Sequence, residues 1–180
     1  ATSTDGHQYI TGASVGLGKR LKWPDNFWRR QISLGYQYYD VDNYPGLNLS
    51  QGYYNNANVK LTFSRSSIDQ PIYPRSGSEI TLMAQSTMPL SLFQPNKDYS
   101  LLGDNEKFKW IEYHKWLFKG QVFNPLTKNT NLVLRTAFEM GFLGYYDENR
   151  RSPFEGFIVG GSGMSGYNIY GTDYISLRGY

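Results

Sequence analysis

Side chains that could do covalent chemistry are scarce in this sequence. None of the 180 residues is cysteine, which removes thiol nucleophiles, thiolate metal sites and disulfides together. The two histidines are His7, in a polar leader, and His114, in an irregular stretch. Neither has a second histidine at the spacing that a zinc or iron site requires, so each reads as a surface or interface residue. Serines and acids occur without the context of a serine, histidine and acid triad. Gly160, Gly161, Gly163, Gly166 and Gly171 could suggest a phosphate cradle, but no buried strand, following helix or lysine accompanies them. Their plainer meaning is a long loop with tight turns or close packing. The expectation is a protein with no catalytic residues, no metal and no cofactor.

Composition points to strands. Aromatic residues make up 17% of the chain, with 16 Tyr, 10 Phe and 4 Trp, beside 19 Gly. Charged residues stand at 18%, below the roughly 25% usual in soluble domains. Mean hydropathy is -0.54, and no run approaches the ~20 apolar residues of a membrane helix. A membrane barrel remains open, because half of its strand residues are polar. The net charge of +3 is spread along the chain and leaves no footprint for nucleic acid. Ala1 to Gln8 lacks the features of a signal peptide, so an export signal would lie outside this stretch.

Period-two alternation recurs in six segments, the mark of half-buried strands. They are expected at about 10–22, 28–41, 57–68, 78–88, 110–124 and 131–145. In the clearest, Trp28, Arg30, Ile32, Leu34, Tyr36 and Tyr38 share one face, and Arg29, Gln31, Ser33, Gln37 and Tyr39 the other. Ala57, Val59, Leu61 and Phe63 oppose Asn58, Lys60 and Thr62; Leu134, Phe138, Met140 and Phe142 oppose Arg135 and Glu139. The fifth segment alternates least regularly.

Alternation alone suits a sandwich as well as a barrel, but three features favour a barrel. The segments are long, near the about 9 to 11 residues of a tilted membrane strand. Their polar faces mix Lys60, Lys115, Lys119, Arg135 and Glu139 with glycines, which fits a wet lumen. Aromatics gather near segment ends, as in interfacial girdles. Connections also alternate: 23–27 and 125–131 are short and 69–78 moderate, whereas 41–56, 89–109 and the stretch from 146 are long. Short turns on one side and long loops on the other are a barrel trait. Six strands are too few to close a membrane barrel, so the expected fold is all-β: a single partial domain over 1–180, part of a larger antiparallel transmembrane β-barrel, ending in a long loop at about 146–180.

Two segments carry a family resemblance. The turn from Asp69 to Gly77, with Pro74 inside it, is similar to the acid, aromatic, Pro, Gly turn that precedes a strand in the outer-membrane protein insertase family typified by BamA. Pro74 and Gly77 would fix the turn while Asp69 bonds backbone amides. The end of the chain, Leu177, Arg178, Gly179 and Tyr180, resembles the hydrophobic, Arg, Gly, aromatic tetrad of that family's long loop, with Gly160 and Gly161 matching upstream. The spacer from Ser162 to Ser176 is longer than in the best-known members.

The resemblance implies a barrel of about 16 strands in the bacterial outer membrane, belonging to the machinery that folds and inserts β-barrel proteins. It implies that Arg178 turns into the lumen and pairs with acids, for which Glu139 is a candidate in this stretch. Implied partners are outer-membrane lipid, client β-barrel proteins and accessory assembly lipoproteins, without nucleic acid. A related two-partner secretion translocator or another assembly factor of the same superfamily would share barrel and tetrad; a passive porin or a soluble glycan-binding sandwich are readings of other classes.

Overall fold

A computed structural model describes residues 6–42, 51–94, 98–129, 132–160 and 172–175. Six strands form one antiparallel sheet in chain order: β1 (His7–Arg20), β2 (Trp28–Asp42), β3 (Gly52–Ser66), β4 (Gly77–Thr87), β5 (His114–Pro125) and β6 (Val133–Gly144). Two four-residue helices, α1 (Leu90–Phe93) and α2 (Asp104–Lys107), lie between β4 and β5. After β6 come β7 (Gly156–Val159) and β8 (Thr172–Ile175), which pair in parallel as a separate two-stranded sheet. Among the described residues no helix is long and apolar enough to cross a membrane, which says nothing of crossing by strands.

Register turns the alternation of each strand into the two faces of the whole sheet, because side chains repeat every two residues. Leu17, Ile32, Leu61, Ala84, Trp116 and Phe142 stand abreast across all six strands. Gly16, Ser33, Lys60, Gln85, Lys115 and Leu143 form the next row, on the opposite face. The apolar face has no protein covering it: Leu17 is 80% exposed, Leu34 54% and Phe138 55%. Such an area of bared Leu, Val and Phe is what lipid covers in a membrane barrel. β1 and β6 do not pair with each other among the described residues, so the sheet is a stretch of wall whose edges need partners in a bilayer.

The elements differ from the sequence expectations in three places. β5 begins at His114 rather than near Trp110, because Ile111 and Tyr113 leave the ladder and sink into the core; Trp110 keeps only a single bridge to Asn55. β3 begins at Gly52, since Tyr39 still pairs with Tyr54 and Val41 with Gly52 above the apolar rows. The β2–β3 connection is therefore only 43–51, no longer than the 67–76 turn, and the alternation of loop lengths rests on 88–113 and the stretch after Gly144. That last stretch is not plain loop, since it carries a short helical turn at Glu148–Arg150 besides β7 and β8.

Candidate functional site

On the inner face, at the long-loop end, the wall holds a group of buried polar side chains. Lys115, second residue of β5, is 1% exposed. A buried ammonium is tolerable only when paired and hydrogen-bonded. Its Nζ donates to Glu155 Oε2 at 3.1 Å and lies 2.7 Å from Asp173 Oδ2. Glu155 comes from the segment after β6 and Asp173 from β8, so one cation ties two parts of the chain back to the wall. The ammonium also lies 4.9 Å from the centre of the Phe157 ring, a cation–π contact. Gly141 of β6 makes room for that ring, because a Cβ there would come 2.7 Å from it. Burial pushes the Glu155 carboxyl above its ordinary range, against the opposing pull of Lys115.

Phe154, beside Glu155, is the apolar part of the same anchor. It is 4% exposed and packs on Tyr39 at 4.6 Å and Tyr54 at 5.4 Å between ring centres. Tyr39, Val41, Tyr54, Ile111, Tyr113 and Phe154 form the core cluster. Polar groups around it are satisfied in series. Gln85 donates to the Tyr113 hydroxyl at 2.7 Å, and Asn56 and Tyr39 both donate to Gln37 Oε1, at 3.1 and 3.0 Å.

Nearer the loop end, Arg150 donates to buried Glu112, to the carbonyl of Lys107 at 2.9 Å and to that of Trp110 at 2.7 Å. Its guanidinium lies over Tyr99, 4.7 Å from the ring centre. Glu112 also accepts from the Ser91 amide at 3.0 Å and the Ser91 hydroxyl at 2.6 Å. A fork with several donors suits a site where one side chain must hold three points of one loop segment, at 107, 110 and 112. The base of the 88–113 loop and the segment after β6 are thus joined to each other as well as to the wall.

Farther down the inner face, a cavity of about 490 Å³ is lined by Glu79, Lys119, Gln121, Arg135, Glu139 and Ile175, among others. Lys119 Nζ sits 2.5 Å from Glu139 Oε1, a close ion contact without hydrogen-bond alignment. Arg135 donates to Gln121 at 3.1 Å, and Gln121 donates to Glu79 at 2.5 Å. Ile175 shows that β8 reaches this part of the wall.

The turn between β3 and β4 occupies the opposite end. Asp69 Oδ1 accepts from the amides of Arg75 at 3.0 Å and Ser76 at 3.2 Å, and the Asp69 amide donates to the Ser76 carbonyl at 3.2 Å. Partial desolvation opposes ionisation of Asp69, but these amides outweigh it and hold the carboxyl below its ordinary range. Pro74, which has no amide hydrogen to satisfy, follows Tyr73, whose φ is 55°. Gly77 has φ 110°, and a Cβ there would lie 2.3 Å from the Ser67 carbonyl oxygen. Only glycine fits that position without strain.

Of the residues singled out from sequence, Asp69, Pro74 and Gly77 share this turn. Gly160, at φ 85°, donates its amide to the Ile175 carbonyl at 2.9 Å. Gly161, Leu177, Arg178, Gly179 and Tyr180 lie outside the described residues. Glu139 faces the lumen, where its near neighbour is Lys119. His114 belongs to the outer rim: it accepts from the Trp116 indole at 3.1 Å beside Phe142 and Tyr146. Sequence reasoning did not find the pairing of Lys115 with Glu155 and Asp173, nor that of Arg150 with Glu112. Tyr39, read on the polar face of its segment, and Tyr54, which preceded the expected start of its own, are both buried on the inner face.

An antiparallel sheet with an uncovered apolar outer face, a polar inner face and a following segment folded onto that inner face defines the wall of a membrane β-barrel. The chain belongs to the Omp85 superfamily: the family model described as Omp85 superfamily domain matches residues 2–180. No curated protein matches it. Proteins of that superfamily are outer-membrane proteins, with roles in protein insertion or translocation in general.

Proposed function

We propose that this wall belongs to the central barrel of the machinery that folds and inserts β-barrel proteins into the bacterial outer membrane. The observation that carries the reading is the inward lodging of the segment after β6, held by Lys115, Phe154 and Arg150. A lumen occupied by a pinned segment does not suit a passive porin, and an outer face with no second sheet does not suit a soluble sandwich. Insertion needs no nucleophile, metal or cofactor. Its driving force is the burial of the client's apolar strand faces in lipid and the pairing of its backbone. The protein's part is to lower the kinetic barrier, with client barrels, membrane lipid and accessory lipoproteins as partners.

On this reading Arg178 braces the loop. Ile175, three residues before it, lines the cavity in which Glu79 and Glu139 stand with Lys119 and Arg135, so carboxylates able to accept from a guanidinium lie near the end of β8. The test uses the full-length protein in liposomes, with an unfolded β-barrel client followed by its change in gel mobility. Faster client folding than in empty liposomes is expected. Arg178→Ala should remove most of that gain, and Arg178→Lys should restore little of it, because bidentate geometry is lost. Passage of a secreted substrate without client folding would instead favour a two-partner secretion translocator, and steady ion conductance alone a porin.

A further inference from the structure

The hairpin end joining β1 and β2 carries five cations between residues 19 and 30: Lys19, Arg20, Lys22, Arg29 and Arg30, all exposed. Register sets Lys19 directly opposite Arg30, and Arg20 directly opposite Arg29. Like charges facing each other across strands destabilise a sheet, so two such pairs in adjacent positions call for a neutralising partner. The hairpin's one acid, Asp25, is engaged elsewhere, accepting from Arg65 Nε at 2.9 Å and from the Phe27 amide at 2.9 Å. Among the described residues, no carboxylate forms an ion pair with any of the five; Arg20 donates only to the Asn26 carbonyl, at 2.5 Å.

The faces distinguish the two pairs. Lys19 and Arg30 share the outer face with Leu17 and Ile32 and are the next outward pair along β1 and β2 toward the short turn, while Arg20 and Arg29 point to the other side. Trp28 is the next residue on the same face of β2, and Trp23 is exposed in the turn; aromatic rings beside long cationic side chains are the usual furniture of a headgroup layer. The geometry points to Lys19 and Arg30 as a site for the headgroup of an anionic phospholipid at the short-turn rim. Lipid fits this position better than an acidic polypeptide, because the pair continues the surface that hydrocarbon chains cover.

The proposal does not depend on what the barrel inserts or translocates. It is tested on the full-length protein in detergent by native mass spectrometry with added phosphatidylglycerol or phosphatidylcholine. The double variant Lys19→Gln/Arg30→Gln should weaken the first phosphatidylglycerol bound by about fivefold per cation removed. Phosphatidylcholine binding should not change. Arg20→Gln/Arg29→Gln, on the other face, should alter phosphatidylglycerol affinity less than twofold. In phosphatidylcholine bilayers the Lys19→Gln/Arg30→Gln barrel should be at least as resistant to urea as the parent, since a repulsion has gone, and in phosphatidylglycerol bilayers less resistant. Unchanged phosphatidylglycerol affinity, or an equal loss in both double variants, would overturn the site. So would loss of poly-glutamate binding with phosphatidylglycerol affinity intact, which would assign the pair to an acidic polypeptide.

Discussion

Two carboxylates at opposite ends of the wall are held in opposite ways. Asp69, at the short-turn end, is solvated and receives amides from its own turn, six and seven residues away. Glu155, at the long-loop end, is buried and meets a lysine 40 residues away in sequence. The first arrangement is local, so its contacts form whenever the turn forms. The second exists only when β5, the segment after β6 and β8 have come together, and each member leaves a buried charge behind if another is removed. The turn can therefore fail without disturbing the lodged segment, whereas the lodging should fail as a unit.

The strongest way to break this contrast is Lys115→Met. It leaves Glu155 and Asp173 facing a wall with no cation, and removing one partner of a buried pair costs about 3–5 kcal/mol. The expected result for the full-length protein in lipid is a lower urea midpoint and new protease cleavage within 146–175. Adding Glu155→Gln should recover part of the loss, because one of the stranded charges is gone. Unchanged cleavage in Lys115→Met would show that Phe154 and Arg150 hold the segment without it.

A smaller, purely local effect is expected from Gly77→Ala. A side chain at φ 110° that also meets the Ser67 carbonyl oxygen at 2.3 Å forces the turn to shift, at a cost on the order of 1–3 kcal/mol. The urea midpoint should fall while cleavage within 146–175 stays at the parental level. New cleavage there would mean that the two ends of the wall are coupled.

The same contrast explains what could be read in advance. The lipid face was legible because period two is a property of each strand alone, and the Asp69 turn because its residues are neighbours. The irregular fifth segment has a physical cause: Leu117 and Phe123 are buried on the face that is polar elsewhere. Lys115 could be placed on the inner face but not paired, since no local pattern links it to Glu155 or Asp173. One signal was used for Tyr39 and not carried on to Tyr54. The phase of β2 sets Tyr39 with Gln37, and that of β3 sets Tyr54 with Asn56 and Asn58, so alternation already turned both tyrosines away from lipid.

The finest division between the two ends is their response to acid. Asp69 has its carboxyl lowered from an ordinary value of 3.8. Its contribution to the turn is complete above that value and is lost as pH falls through the depressed one. Glu155 is raised above 4.5, with Lys115, Tyr113 and Asp173 around it. Stability is greatest below its ordinary value and is lost as pH rises through the raised one. Acidification from neutral pH should first tighten the lodged segment, seen as slower cleavage within 146–175, and only at lower pH loosen the turn, seen as reduced exchange protection of the Arg75 and Ser76 amides. Glu155→Gln should abolish the first change alone, and Asp69→Asn, which keeps an acceptor oxygen but not the charge, the second alone. If either variant removed both changes, the carboxylates would share one titration, and the separation of a local turn from a collective anchor would not hold.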